Sequence, residues 1–192
     1  GHPEYGETPG VESTTGPLGQ GIGNAVGQAL GLKILQQKFN RENHKIFSSK
    51  VYCLAGDGCL MEGVSSEASS FAGHLGLDNL VIIHDANKIT LDGPLEQSSS
   101  ENVMERYDGY GFKVYSMDGH DFDSIENVFN QILEHQDKPV FIDCKTIIGK
   151  GSPNKAGTSK AHGSPLGPEE VIATKKALNL PDEEFYVPQS VK

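Results

Sequence analysis

Two oxygen-bearing side chains each follow a short apolar run. Asp57 stands between two glycines in "GDG", directly after "KVYCLA", and Asn87 ends the segment "LVIIHDAN". If the two runs are neighbouring parallel strands, their carboxyl ends meet at the edge where α/β sheets bind ligands. Gly56 and Gly58 would let a large ligand approach the backbone closely. The spacing therefore predicts that Asp57 and Asn87 face one crevice.

The chemistry available to this pair is oxygen coordination of a hard cation. One carboxylate, one amide oxygen and a nearby backbone carbonyl suit Mg²⁺ completed by ligand phosphates, and they do not suit zinc. The helix between the two strands would direct its N-terminus toward the same edge, where it favours phosphate oxygens. A lone GDG is a common turn, and a lone Asn is typical of turns. The prediction depends on the pair, each member of which closes a strand.

The rest of the chain predicts the elements that must position this pair. Near-continuous apolar runs alternate with segments of helical periodicity, which is typical of an α/β fold with a mostly parallel sheet flanked by helices. Strands are predicted at 50–55, 79–85, 112–117 and 138–147. Helices are predicted at 19–39, 63–74, 101–109 and 121–136, with a last helix from Pro168. Asp121 or Asp123 is expected to cap the helix at 121–136.

Two further glycine-rich segments resemble phosphate-binding patterns only in part. "GIGNAVG" lacks the preceding strand of a dinucleotide-binding motif, and "GKGSPNK" lacks the ending of a P-loop. Lys150 and Lys155 are each predicted either to hold a substrate phosphate or to be solvated. Five glycines lie in the predicted helix at 19–39, and they predict the close approach of another backbone or a ligand.

Composition excludes several classes of protein. With 36% hydrophobic and 22% charged residues the chain is globular, and its net charge of −10 argues against a nucleic-acid or membrane partner. Three scattered cysteines form neither a disulfide framework nor a zinc motif, which favours a reducing, cytoplasmic location. The 192 residues are enough for a single domain. The sequence begins with Gly1 and not with Met, and it stops after "FYVPQSVK" with no closing element. We therefore expect this domain to be incomplete at both ends.

Several motifs resemble those of one enzyme family. "GDG" followed by Asn one predicted helix and one predicted strand later resembles the thiamine-diphosphate fingerprint. Together with "GHPE", "TTGPLGQGI", "GDGCLMEG", "DANKITLDG", "KTIIGKGSPNKAGT" and "AHGSPLG", in this order, it makes the whole chain resemble the N-terminal, diphosphate-binding domain of transketolases. The resemblance implies a thiamine-diphosphate-binding fold.

The resemblance also implies a set of metal ligands. Asp57, Asn87 and the backbone carbonyl of Ile89 match the residues that hold Mg²⁺ or Ca²⁺ on the diphosphate. Gly58 matches the glycine that touches the diphosphate, and Asn87 is also expected to contribute to cofactor binding. One departure is Ala86, which stands where a second Asp is common; the metal-ligand Asn is intact.

Other motifs match residues around the organic part of the cofactor. Gly16, Pro17 and Leu18 match the segment along the aminopyrimidine and thiazolium rings. His2 and His162 match catalytic histidines that line the cofactor and the sugar-phosphate substrate. The remaining histidines match no motif and are expected to be structural or exposed: His44, His74, His84, His120 and His135.

The activity implied by the resemblance is transfer of a two-carbon ketol unit from a ketose phosphate to an aldose phosphate in the pentose phosphate pathway. The family works as homodimers, and Glu62 and Glu67 match acidic residues near the subunit interface. A catalytic Glu from a second domain of the partner subunit completes the site. No segment here supplies that domain, so we expect residues 1–192 alone to be inactive.

Alternatives share the fingerprint: 1-deoxyxylulose 5-phosphate synthase, dihydroxyacetone synthase and the 2-oxo acid dehydrogenases. "TTGPLGQG" and "AHGSPLG" favour transketolase, although dihydroxyacetone synthase is very similar. An alternative of another class is a non-catalytic subunit that only binds diphosphate. The presence of His2, Asp57, Asn87 and His162 together argues against a retired site.

Overall fold

A computed structural model describes residues 3–192, which form two compact units. The first unit contains residues 3–86 and Ser100–Thr146, and the second contains Asn87–Ser99 and Ile147–Lys192. That residues 1–192 act as one domain stays a prediction.

The first unit is built on a four-stranded sheet. Its strands are β1 (Val51–Gly56), β2 (Leu80–Ala86), β3 (Lys113–Asp118) and β4 (Val140–Lys145). All neighbours are parallel and the strand order is β1-β2-β4-β3. The predicted α/β class is confirmed, and so is the pairing of the strands that precede Asp57 and Asn87.

Five helices accompany the sheet in the first unit: α1 (Gln20–Phe39), α2 (Asp57–Met61), α3 (Gly63–His74), α4 (Val103–Gly109) and α5 (Phe122–Glu134). Four of them were predicted from periodicity. The exception is α2, a short helix that begins at Asp57 itself, where no element was predicted. Asp121 caps α5 by accepting a hydrogen bond from the backbone N–H of Asp123 at 3.0 Å, as predicted.

The core has two parts, because alternate residues of a strand point to opposite faces of the sheet. Leu80 and Ile82 of β2 belong to the part that includes buried residues of α1. Val81 belongs to the other part, with Val128 and Ile132 of α5. All three β2 residues have 0% exposure. Burying each such side chain contributes about 1.5–3 kcal/mol, so both faces of β2 hold the strand in register.

The glycines of the α1 segment have different surroundings. Gly19 precedes α1 with a φ of +79°, and an added Cβ would lie 2.8 Å from the Cβ of Glu62. The predicted close approach is therefore correct at Gly19. At Gly23, Gly27 and Gly31 no described atom beyond the local helix lies within 4 Å of an added Cβ, so the close approach of a ligand or another backbone there stays a prediction.

A tighter contact exists at Gly73 in α3, where an added Cβ would lie 1.8 Å from the carbonyl oxygen of Tyr110. A backbone carbonyl cannot rotate away, so we expect Gly73→Ala to lower the free energy of unfolding by about 2 kcal/mol or more. Gly23→Ala is the matched control, and it should raise that free energy by up to about 1 kcal/mol. Urea unfolding measures both changes. Equal stability of the two variants would contradict this packing.

The second unit contains α6 (Pro168–Ala177) and two single-turn 3₁₀ helices, Leu95–Gln97 and Ser159–Ala161. Pro168 is the first residue of α6, as predicted, since its fixed φ suits the first helical turn. None of the helices within residues 3–192 is long and apolar enough to cross a membrane.

Candidate active site

Asp57 lies at the carboxyl end of β1, as the first residue of α2, and is only 7% exposed. Its Oδ1 lies 3.0 Å from Nε2 of His84. Its Oδ2 is buried and has no hydrogen-bond partner among residues 3–192. Leaving a buried carboxylate oxygen unpaired is costly. The residue therefore fits a cation, which would satisfy this oxygen.

The sequence assigns His84 no functional role, but the structure places this histidine against the Asp57 carboxylate. It is 3% exposed, and its Nδ1 lies 3.0 Å from Oδ1 of Asp143. Burial lowers the pKa of His84, but hydrogen bonds to Asp143 and Asp57 and the two carboxylate charges outweigh it and raise the pKa to about 9. Both ring nitrogens thus face a carboxylate oxygen, an arrangement that favours the protonated ring.

The sequence contains part of the information that places His84 in the interior. The alternation of β2 puts His84 on the same face as Leu80 and Ile82, at the end of a buried strand. The contact with Asp143 required the knowledge that β4 pairs with β2, with His84 opposite Asp143. Nothing in the local sequence indicates that strand order.

Two predicted cofactor-binding residues meet in the first unit. An added Cβ at Gly58 would lie 3.2 Å from Cδ1 of Leu18, so these two segments are in contact. Leu18 is 52% exposed, and Gly16 and Pro17 are also exposed. Leu18 and Gly58 thus border one surface, while their contact with a cofactor stays a prediction.

Two predicted metal ligands share one turn of the second unit. The Oδ1 of Asn87 accepts a hydrogen bond from the backbone N–H of Ile89 at 2.9 Å. Between them Lys88 has a φ of +61°, and its carbonyl accepts from the N–H of Leu95 at 2.9 Å. A left-handed non-glycine residue costs about 1–2 kcal/mol. The turn is therefore held by its hydrogen bonds.

His162 also belongs to the second unit, directly after the turn Ser159–Ala161. Its Nδ1 is buried and has no hydrogen-bond partner among the residues described. An added Cβ at Gly163 would lie 4.0 Å from Cδ1 of Leu91, so the "AHGSPLG" and "DANKITLDG" segments lie side by side. His2 lies outside the described residues.

Lys155 has a structural role that neither predicted alternative included. Its Nζ donates to the carbonyl of Leu166 at 2.7 Å and lies 3.5 Å from that of Pro165. The Lys155 ammonium thus links two parts of the loop in which it lies. Lys150 is exposed, so its two alternatives stay open.

Glu170 anchors the same loop to the first turn of α6. It accepts hydrogen bonds from the Ser152 hydroxyl, and from the backbone N–H and side-chain amide of Asn154 at 2.8 and 2.9 Å. These hydrogen bonds lower the pKa of Glu170 from 4.5 to about 2, and the bond from Ser152 has the largest effect.

The lowered pKa predicts a pH dependence of stability. A carboxylate with a depressed pKa in the folded state stabilises the fold above its unfolded pKa. We expect the thermal-midpoint difference between wild type and Glu170→Gln to be constant above pH 5 and to shrink between about pH 4.5 and 2. Glu169→Gln, on the adjacent residue, is the control. A difference that does not change with pH would contradict the anchor.

The described residues limit the kind of metal site. No group of three or more His, Cys, Asp or Glu side chains within residues 3–192 could hold a metal ion. A metal at Asp57 would therefore need neutral oxygen ligands as well.

The sheet is parallel, and oxygen-bearing side chains follow its first two strands. These features define an α/β domain of the ligand-binding class. The family model described as transketolase, thiamine diphosphate binding domain, matches residues 1–192. The chain therefore belongs to this family, and the resemblance inferred from the motifs is confirmed.

Relatives and solved structures agree with this family. The chain is similar to transketolase of Geobacillus stearothermophilus (49% identical over 193 residues) and of Physarum polycephalum (48% over 194 residues). It also resembles the structure of transketolase from Leishmania mexicana, with a TM-score of 0.92, 42% identity and coverage of 99% of this chain and 29% of that one. All of this chain aligns with the two curated relatives, but it spans only 29% of their length.

Proposed function

We propose that this chain supplies the metal- and diphosphate-binding half of a transketolase active site. The observation that carries the proposal is the buried, unpartnered Oδ2 of Asp57. Asp57, Asn87 and the carbonyl of Ile89 would hold Mg²⁺ or Ca²⁺, both of which prefer oxygen ligands. The family supports thiamine diphosphate as the molecule whose diphosphate completes the coordination.

The strand register supports this ligand set. Gly56 of β1 pairs with Asp85 of β2. Asp57 follows Gly56 in the chain, and Asn87 follows Asp85 by two residues. Asp57 is the one charged member of the set, so most of the attraction for the cation comes from it.

The remaining cofactor contacts are proposed from the family motifs. Gly58 would face the diphosphate, and Gly16, Pro17 and Leu18 would lie along the aminopyrimidine and thiazolium rings. The absence of a Cβ at Gly58 leaves space beside Leu18. When bound, thiamine diphosphate supplies the nucleophilic carbon and the electron sink for carbon–carbon bond cleavage and formation.

His162 and His2 are proposed to act on the sugar-phosphate substrate. The buried Nδ1 of His162, which lacks a hydrogen-bond partner among residues 3–192, supports this role, since such an atom is satisfied by a ligand or by water. An imidazole is suited to proton transfer at neutral pH.

For the full protein we propose ketol transfer between sugar phosphates in the pentose phosphate pathway, by a cytoplasmic homodimer. Glu62 and Glu67, which match interface residues of the family, are both exposed in this single chain. Their exposure is consistent with burial by a partner subunit.

The test is a ketol-transfer assay with xylulose 5-phosphate and ribose 5-phosphate, in the presence of thiamine diphosphate and Mg²⁺. We expect the full protein that contains this sequence to be active and isolated residues 1–192 to be inactive. Activity of the isolated chain would contradict the shared site. Cofactor binding by the full protein without transfer would favour the non-catalytic subunit.

A further inference from the structure

A series of three hydrogen-bonded side chains, two of them buried, ends at the proposed metal-binding carboxylate. Oδ1 of Asp143 lies 3.0 Å from Nδ1 of His84, and Nε2 of His84 lies 3.0 Å from Oδ1 of Asp57. The side chains of Asp143, His84 and Asp57 are 13%, 3% and 6% exposed. All three belong to the first unit.

The ring of His84 is fixed on several sides. Its backbone lies in β2, paired with Ala55 on one side and Asp143 on the other. The ring stacks on Phe141, with centroids 5.9 Å apart and planes at 26°, and Phe141 stacks on Tyr107 at 3.9 Å. With its ring against Phe141 and its Nδ1 held by Asp143, His84 directs Nε2 toward Asp57.

This arrangement distinguishes the two oxygens of Asp57. Oδ1 is held by His84, whereas Oδ2 is buried and has no hydrogen-bond partner among residues 3–192. Rotating the carboxylate would break a charge-assisted hydrogen bond in a dry environment, which costs more than in water. The orientation of Asp57 is thus set before any ligand arrives.

We propose that His84 is a positioning residue, which holds Oδ1 of Asp57 so that Oδ2 is presented to a divalent cation, and that Asp143 holds His84 in turn. The proposal rests on the proposed function of Asp57 as a metal ligand. Hydrogen-bond partners of metal-ligating carboxylates typically affect metal affinity by about 10–100-fold. His84 itself does not touch the cation.

The alternative is that His84 only neutralises the carboxylates of Asp57 and Asp143. Both of its hydrogen bonds would then matter to stability alone, and neither would matter specifically to the metal. The two ring nitrogens can be tested separately. In His84→Gln the side-chain amide can replace Nε2, which faces Asp57, and in His84→Asn it can replace only Nδ1, which faces Asp143.

The experiment titrates Mn²⁺ into the full protein with excess thiamine diphosphate and counts free Mn²⁺ by electron paramagnetic resonance. We expect His84→Asn to weaken Mn²⁺ affinity by about 10–100-fold and His84→Gln by no more than about threefold. His135→Asn, at a histidine whose side chain is 72% exposed, is the control. Thermal midpoints of the metal-free variants show whether the fold is intact.

A double variant separates positioning from a general effect on the fold. If His84 acts through Asp57, then Asp57→Ala with His84→Asn should bind Mn²⁺ no more weakly than Asp57→Ala alone. Equal losses in His84→Asn and His84→Gln, additive losses in the double variant, or wild-type affinity in His84→Asn would each overturn the proposal. If Asp57→Ala alone leaves Mn²⁺ affinity unchanged, the metal-ligand assignment itself fails. If His84→Asn does not fold, Asp143→Asn tests the same series of hydrogen bonds, and we expect it to weaken Mn²⁺ affinity by about tenfold.

Discussion

Replacing Asp57 with Ala is expected to lower the affinity of the full protein for thiamine diphosphate, in the presence of Mg²⁺, by at least about tenfold, or 1.4 kcal/mol. Asp57 is the single charged ligand in the proposed set, and the cation it holds neutralises the diphosphate. Without it, only an amide and a backbone carbonyl would remain as protein ligands. Calorimetric titration with thiamine diphosphate and Mg²⁺ measures the change.

Two further variants sharpen this expectation. Asp57→Asn keeps the shape of the side chain and an oxygen that can face His84, but it removes the charge, so it should also weaken binding. Asp118→Ala, at the end of β3 in the same sheet, is the control. Asp118 is an exposed carboxylate and belongs to none of the cofactor-binding motifs. Unchanged affinity in Asp57→Ala would rule out Asp57 as the metal ligand.

The second large effect is expected at His162. His162→Ala in the full protein should lower the turnover number by roughly 10²–10⁴-fold, the usual contribution of a general acid or base. The structural reason is the buried Nδ1 of His162, which no residue among 3–192 satisfies. A steady-state assay with ketose and aldose phosphates measures the turnover number and KM separately.

Whether His162→Ala changes the turnover number or KM identifies the role of His162. A fall in the turnover number with little change in KM indicates an interaction made in the transition state, whereas a rise in KM alone indicates a binding contact. His135→Ala is the matched control, because the His135 side chain is exposed, with its Nε2 3.6 Å from Oδ2 of Asp137. A turnover number within about twofold of wild type would return His162 to a structural role.

Local pattern was sufficient for most elements of this chain. The alternation of apolar runs and helical periods predicted all four strands, and Asp121 and Pro168 marked the starts of α5 and α6. These features depend on residues close together in sequence, such as a cap and the N–H group it accepts from. The motifs around Asp57, Asn87 and His162 likewise identified the family without any tertiary information.

What the sequence could not provide were contacts that depend on strand order and on backbone approach. The pairing of β4 with β2 places Asp143 beside His84, although 58 residues separate them in the chain and no motif links them. The same holds for Lys155, whose ammonium meets the carbonyl of Leu166 only because the loop folds back. A sequence records which side chains are able to pair, but the packing of both faces of the sheet selects the strand order, and with it the partner that holds Asp57.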